Sequence, residues 1–294
     1  MVCMLNFRKR NQRKQNETDK SMFYEVNILK LTMLGTGNAL VTECYNTCFV
    51  IENEGKYFMV DGGGSSAILH QLKHAGFDWM DMRHIFVTHK HVDHLMGIIW
   101  MVRMICQFMN HGEYKGEAYI YSHKEVLELI KEMADKLLLQ KETRFIGDRL
   151  HLVEVDDGET MNIIGHDITF FDIQSTKTNQ FGFSMDMGDG KKLTCCGDEP
   201  YTDCEEKYAR DSEWLLHEAF CLYSERDIFD PYEKHHSTVK DACELAEKLN
   251  IKNMLLYHTE DKNIANRKQR YVEEGSLYYN GNLFVPDDLE SLEL

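Results

Sequence analysis

Three histidines and an aspartate lie within six residues of one another in the segment THKHVDH, residues 88–94. This segment directly follows the apolar run of residues 84–87, which is typical of a buried strand. If the chain leaves that strand at residue 88 and enters a helix near residue 94, the first two histidines point the same way and the last two residues point inward. The candidate metal ligands are His89, His91, Asp93 and His94. The alternative interpretation is a solvated loop or a set of hydrogen-bonded core histidines.

Two further strand ends carry candidate ligands. Asp198 follows a predicted strand over residues 192–196, and His258 follows one over residues 253–257. Each is weak evidence alone, because such a carboxylate also caps helices and a lone histidine is more often a satisfied core residue. Combined with the loop, they predict a site that holds two metal ions about 3.5 to 4 Å apart and generates metal-bound hydroxide for hydrolysis. In this set Asp198 bridges both ions, the first ion takes His89 and His91, and the second takes Asp93, His94 and His258.

The order of elements predicts the fold class and the domain organisation. Three strands come first, and strands then alternate densely with helices, which indicates layered sheets covered by helices, an α+β protein. Residues 1–22 are basic and lack an apolar run behind the charges, so we expect a flexible leader rather than a secretory signal. Residues 23–294 contain only 3 Pro and no linker-like stretch, which predicts a single hydrolase domain.

Composition restricts the compartment and the partners. Nine scattered cysteines without a C-x-x-C pair favour a reducing cytoplasm over a disulfide framework. Residues 95–109 are apolar but too short to span a bilayer, so we expect a buried helix and no membrane role. This Met-rich helix is also compatible with a homodimer interface, although a core helix is favoured. The net charge of −16, with six basic and two acidic side chains in residues 1–20, does not support RNA as a partner.

Several segments in series resemble the metallo-β-lactamase superfamily and, within it, the ribonuclease Z family. The resemblance runs from about residue 31 to residue 258 and implies an αββα sandwich of four layers, with the site at one edge between the two sheets. The segments that carry it are the histidine loop, Leu34-Gly35-Thr36-Gly37, Val60-Asp61-Gly62-Gly63-Gly64, Cys196-Gly197-Asp198, Leu216-His217-Glu218-Ala219, His236-Ser237-Thr238 and His258.

The resemblance also implies catalytic roles. Asp93 becomes both a ligand and a proton acceptor, and His236 donates a proton to the departing 3′ oxygen, a function that typically contributes about 10² to 10⁴ in rate. Asp61 orients a ligand imidazole from behind, and Glu218 acts on His236. The neighbouring His235 is an alternative donor, and a simple helix N-terminus at this segment is equally compatible with the sequence.

Two departures from the family pattern affect the metal and the substrate. The family's third histidine for the first metal is missing, and Gln174 or Thr176 stands in its place, whereas His166 reads as a surface residue. An amide oxygen binds zinc poorly, so Gln174 is a weak ligand and the first site suits Mn or Mg as well as zinc. A Gln174→His change should therefore raise metal affinity. The family's flexible tRNA-gripping arm is also absent, since only residues 176–195 separate the two motifs.

These observations predict a metal-dependent hydrolase with two divalent ions, for which zinc is favoured. A phosphodiesterase or ribonuclease Z-like nuclease is the first hypothesis. The alternatives are hydrolysis of another small ester, such as a lactone or sulfate ester, and a metal-binding relative without turnover.

Overall fold

Two seven-stranded sheets pack face to face in the computed structural model, which describes residues 29–294. Helices cover the outer face of each sheet, so the αββα architecture expected from the sequence is confirmed. The predicted leader, residues 1–22, lies outside the described residues.

The first sheet is built mainly from the N-terminal half of the chain and has the order β14-β1-β2-β3-β4-β5-β6. Strands β3 to β6 run parallel, so their carboxyl ends meet at one edge. Its strands are β1 (Lys30–Gly35), β2 (Cys48–Asn53), β3 (Lys56–Val60), β4 (His84–Phe86), β5 (Ala118–Ser122), β6 (Leu150–Glu154) and β14 (Ser291–Glu293).

The second sheet has the order β13-β12-β11-β10-β9-β8-β7. Strands β10 to β13 run parallel, and β7 to β10 form an antiparallel series. Its strands are β7 (Thr160–Ile163), β8 (His166–Asp172), β9 (Phe181–Gly188), β10 (Lys191–Cys195), β11 (Trp214–Glu218), β12 (Asn253–Tyr257) and β13 (Asn282–Phe284).

Three apolar layers hold the sandwich together. The central layer, between the sheets, includes Phe58, Phe86 and Phe183, whose rings contact one another. The outer layers lie between each sheet and its own helices. The α-helices are α1 (Ala67–His74), α2 (Val92–His111), α3 (Lys124–Leu137), α4 (Gln140–Thr143), α5 (Glu206–Ala209), α6 (Arg226–Phe229), α7 (Val239–Lys248) and α8 (Ile264–Gly275).

Helix α2 is long and apolar enough to cross a membrane by length and composition. However, most of it is buried, and Met101, Val102 and Ile105 pack in the layer between the first sheet and its helices. This placement matches the core helix expected from the sequence. A homodimer through the Met-rich helix stays a prediction.

The chain closes on itself through elements that the sequence did not reveal, β13, β14 and helix α8. Strand β14 pairs with β1 in antiparallel register, with Leu31 opposite Leu292. The fully buried Arg267 on α8 donates to the hydroxyls of Thr36 and Thr259 and to the carbonyl oxygen of Pro286. These bonds join the loop after β1 and the loop after β12 to the segment that precedes β14.

Candidate metal centre

The histidine loop is positioned by the end of β4 and the first turn of α2. The Thr88 carbonyl oxygen accepts a hydrogen bond from the backbone N–H of Phe181, which ties the loop to the second sheet. Helix α2 begins at residue 92 with His91 as its N-cap, two residues before the predicted start. A Cβ at Gly97 would lie 1.8 Å from the carbonyl oxygen of Gly62, so this glycine allows the helix to approach the glycine turn after β3.

The structure brings the predicted ligands from both sheets together. Asp198 follows β10 and His258 follows β12, so both lie where parallel strands end. Within each group, one donor atom from every member lies within 4.8 Å of the others. The groups are His89, His91 and Asp198, then Asp93, His94 and His258, and finally Glu218, His236 and His258. All these residues are buried except His91, which is half-buried.

The distances between donor atoms fit a metal ion. Oδ2 of Asp198 lies 3.6 Å from Nε2 of His89, 3.3 Å from that of His94 and 3.4 Å from that of His258. Oδ2 of Asp93 lies 3.4 and 3.5 Å from the last two nitrogens. Two ligands about 2.1 Å from a tetrahedral zinc ion lie about 3.4 Å apart. The three imidazole Nε2 atoms are buried and have no hydrogen-bond partner among residues 29–294, and a cation would satisfy them.

The protonation of Asp198 and His89 suits metal ligands, whereas for His94 burial, which lowers the pKa, is outweighed by Asp93 and Asp61, and the pKa is raised. Although burial alone would raise the pKa of Asp198, the neighbouring His89 and His94 hold it well below its usual range. Burial lowers the pKa of His89, and a neutral imidazole is the form that binds a metal.

Asp61 supports two of the ligand imidazoles from behind. Its Oδ2 accepts a 2.7 Å hydrogen bond from Nδ1 of His94 and a 2.8 Å bond from the hydroxyl of Thr88. The same hydroxyl lies 2.9 Å from Nδ1 of His89. Because each Nδ1 is engaged on this side, each Nε2 faces the candidate metal position.

His236 lies at the rim of the same group, beside His258. Oε2 of Glu218 lies 3.6 Å from Nδ1 of His236, and Oε1 of the same carboxylate accepts a hydrogen bond from the backbone N–H of Ser237. The ring of Phe220 stacks on the imidazole, with centroids 5.0 Å apart and planes inclined by 5°. Burial works against a charged His236, but the Glu218 carboxylate outweighs it, and the pKa of His236 is raised above its ordinary value. The raised pKa favours the protonated imidazole, which is the form that can donate a proton.

The other histidines considered from the sequence lie elsewhere. His235 is exposed, with a left-handed backbone at φ 56°, and its Nδ1 lies 3.5 Å from the Thr176 hydroxyl. His217 is buried within β11, and its Nδ1 hydrogen-bonds to a backbone carbonyl oxygen. His166 begins β8 and hydrogen-bonds to the carbonyl oxygen of Asp186.

The structure does not bring Gln174 to the candidate ligands. Its side chain is exposed, its φ is 57°, and its backbone N–H bonds to the Asp172 carboxylate. The glutamine that reaches the group is Gln180, which is fully buried, with Nε2 2.6 Å from Oδ1 of Asp198. Sequence reasoning missed Gln180, although the pairing of β9 with β10 would have indicated it. When their antiparallel register is continued one residue beyond Gly197, Gln180 lies opposite Asp198.

A cavity of about 510 Å³ opens onto the candidate ligands. Two lysines line it in a chain whose net charge is −16. Lys90 is paired with Glu125, whereas Lys177 has no ion pair among residues 29–294. The remaining lining residues are Ala39, His91, Val92, Asp93, Asp198, His236 and His258. The cavity is thus lined by His236, by candidate ligands from both groups and by the ammonium of Lys177.

Comparisons with known proteins agree with this architecture. Ribonuclease Z of Pyrococcus abyssi is 24% identical over 284 residues, covering 79% of this chain and 86% of the archaeal protein. The metallo-β-lactamase fold protein YhfI of Bacillus subtilis superposes with a TM-score of 0.73 at 15% identity, covering 91% of this chain and all of YhfI. A diphosphatase from the PhnP family superposes with a TM-score of 0.67 at 16% identity, covering 91% of this chain and 97% of the other.

These similarities confirm the expected fold and the ribonuclease Z-like resemblance. A more specific match covers most of the described residues: the profile of the family described as anti-Pycsar protein Apyc1 aligns with residues 29–278. The chain belongs to the anti-Pycsar protein Apyc1 family and is a ribonuclease Z-like protein of the metallo-β-lactamase superfamily.

Proposed function

We propose that this protein is a metal-dependent phosphodiesterase that acts on small phosphodiesters. The observation that carries the proposal is the arrangement of two ligand groups, joined through Asp198, beside His236 in one cavity. The 24% identical relative named ribonuclease Z and the fold neighbour named as a diphosphatase support hydrolysis at phosphorus.

Two divalent cations suit the donor set, with zinc as the proposed metal and Mn or Mg as alternatives in the first group. Bound cations supply Lewis acidity and lower the pKa of water from about 15.7 to about 7. Asp93 holds its Oδ2 toward the second group and accepts the proton of the attacking water. His236, kept protonated by Glu218, donates its proton to the departing oxygen.

The charge distribution supports a small substrate rather than RNA. The chain carries −16 overall, which repels a long polyanion, whereas the cavity itself offers Lys90 and Lys177 to a single phosphate group. RNA stays an alternative substrate. The cytoplasm is the proposed compartment, supported by the eight free cysteines among the described residues.

Metal content followed by hydrolysis tests the proposal. Elemental analysis of protein purified without added metal should find two divalent ions per chain, and the loaded protein should hydrolyse bis(p-nitrophenyl) phosphate. Chelation should abolish turnover, and re-addition of zinc, Mn or Mg should restore it and rank the ions. Fully loaded protein that leaves this diester intact would refute the proposal and favour another ester or a binding role.

Adjacent histidines provide a matched pair for the proton donor. With a diester whose leaving group is an alkoxide, His236→Ala should lower kcat by about 10² to 10⁴, because the leaving oxygen loses its acid, while metal content stays at the wild-type level. His235→Ala, at the exposed neighbour, should change kcat little. Equal losses in the two variants would contradict the assignment of His236.

A further inference from the structure

We infer that Gln180 is a positioning residue of the metal centre that fixes the bridging carboxylate of Asp198. The inference rests on the metal-binding part of the proposed function. Gln180 donates from Nε2 to Oδ1 of Asp198 at 2.6 Å, and both side chains are buried. The amide thus holds one carboxylate oxygen, and the other faces the imidazoles.

The backbone around this contact is arranged for close approach. Strands β9 and β10 pair with Phe183 opposite Cys195, and this register, continued, places Gln180 across from Asp198. Between them, Gly197 has φ 78°, and a Cβ there would lie 2.6 Å from Nε2 of Gln180. A side chain at this position would displace the amide.

The two oxygens of Asp198 have different surroundings. Oδ2 lies 3.3 to 3.6 Å from three imidazole nitrogens, whereas Oδ1 receives the Gln180 amide. A carboxylate that is held at one oxygen presents the other in a fixed direction. The opposite end of the amide, Oε1, is buried without a hydrogen-bond partner in the described part of the chain. A buried acceptor without a partner lowers the stability of the fold. The hydrogen bond to Asp198 therefore explains this arrangement better than a contribution to stability does.

The consequence should fall mainly on the first cation. Its group contains a single carboxylate, Asp198, and the half-buried His91. The second group lies around two carboxylates, because Oδ2 of Asp93 and Oδ2 of Asp198 both face His94 and His258. Asp198 is therefore the only anionic ligand in the group of the first cation, and without the Gln180 contact its orientation is no longer fixed.

Gln174 provides a matched control, because it is also a glutamine in the connection between β8 and β9, but its side chain is exposed. Metal-free full-length protein is titrated with zinc by calorimetry, and bound zinc is counted by elemental analysis. Gln180→Met, similar in length but without the amide, should weaken the first site about 10- to 100-fold and leave the second within about threefold. Gln174→Met should match the wild type at both sites, and thermal unfolding of each metal-free variant checks its fold.

The comparison of the two sites is the readout that a purely structural role would not move. A general loosening of the fold by Gln180→Met would weaken both sites and lower the unfolding temperature of the metal-free protein. Loss of the Asp198 contact alone should weaken the first site and leave that temperature close to the wild-type value.

The outcomes separate this inference from the function on which it rests. A wild-type protein that binds no zinc overturns the proposed function and the inference together. Two-site binding by the wild type, with unchanged zinc affinity at the first site in a folded Gln180→Met or equal weakening of both sites, overturns the inference alone. Selective loss of affinity at the first site supports it.

Discussion

The two halves of the sandwich supply the candidate metal centre in different ways. The first sheet contributes four ligands from one continuous segment, residues 89–94, at the junction of β4 and α2. The second contributes single side chains after separate strands, Asp198 after β10 and His258 after β12. Yet both sheets contain seven strands, and both place the ends of parallel strands at the same edge.

This difference teaches how each half depends on the rest of the molecule. Thr88 within the loop and Asp61 at the end of β3 hold the imidazoles of the first sheet from behind. Asp198 is instead held at one oxygen by Gln180, which directly precedes β9. Asp198 nevertheless faces histidines of both ligand groups, so we expect it to be the residue whose loss matters most.

The largest expected effect is on the number of bound cations when Asp198 and Asp93 are replaced in turn. Asp198→Asn should lose both cations, because its Oδ2 faces His89 of the first group and His94 and His258 of the second. Asp93→Asn should retain the cation of the first group, since Asp93 belongs to the second. Both variants should lose hydrolysis to background. Metal counts by elemental analysis check this, and equal counts in the two variants would show that Asp198 does not join the groups.

The outer carboxylates of the two halves should differ in what they affect. Asp61→Asn should weaken metal binding about 10- to 100-fold, because it loosens the imidazole of His94. Glu218→Gln should leave metal affinity near the wild-type value and lower kcat, because Glu218 holds His236. Calorimetry and steady-state kinetics on the two variants measure these effects. Reduced metal affinity in Glu218→Gln would contradict the assignment of Glu218 to His236 rather than to the metal ligands.

The two lysines of the cavity offer a smaller contrast. Lys177→Gln should raise KM for a phosphodiester about two- to fivefold with kcat nearly unchanged, the effect expected for one exposed ion pair. Lys90→Gln should raise KM less, because Lys90 is already paired with Glu125. The Lys177 effect should shrink as ionic strength increases. A larger KM effect at Lys90 would reverse the assignment.

A buried carboxyl in the second half affects stability rather than turnover. Burial raises the pKa of Glu205 from its usual 4.5 to about 8, and its Oε2 has no hydrogen-bond partner among the residues that the structure describes. Between these values the folded protein keeps a proton that the unfolded chain releases, so this contribution to stability is lost as pH rises from about 5 to 8. Glu205→Gln should therefore gain stability relative to the wild type over that range, as measured by urea unfolding. The exposed Asp203→Asn is the control and should show no such trend.

The histidine loop and the strands that carry Asp198 and His258 could be predicted because their signals are local: dense ligands, and an apolar run followed by a polar residue. Strand β12 has the predicted bounds. The choice between Gln174 and Gln180 could not be made locally, because the left-handed backbone at Gln174 turns its side chain away and only the pairing of β9 with β10 selects the other residue. Strands β13 and β14, three residues each, are too short to show periodicity.

The pairing of β14 with β1 has a consequence for synthesis in the cell. Lys30 lies opposite Glu293, so the first sheet lacks its edge strand until residue 293 has left the ribosome. The buried guanidinium of Arg267 likewise cannot complete its contacts with Thr36 and Pro286 until residue 286 has been synthesised. Closure of such widely separated contacts is intrinsically slow. We therefore expect nascent chains to expose the unpaired edge of β1 until β14 has been synthesised, which favours binding by chaperones that recognise extended backbone.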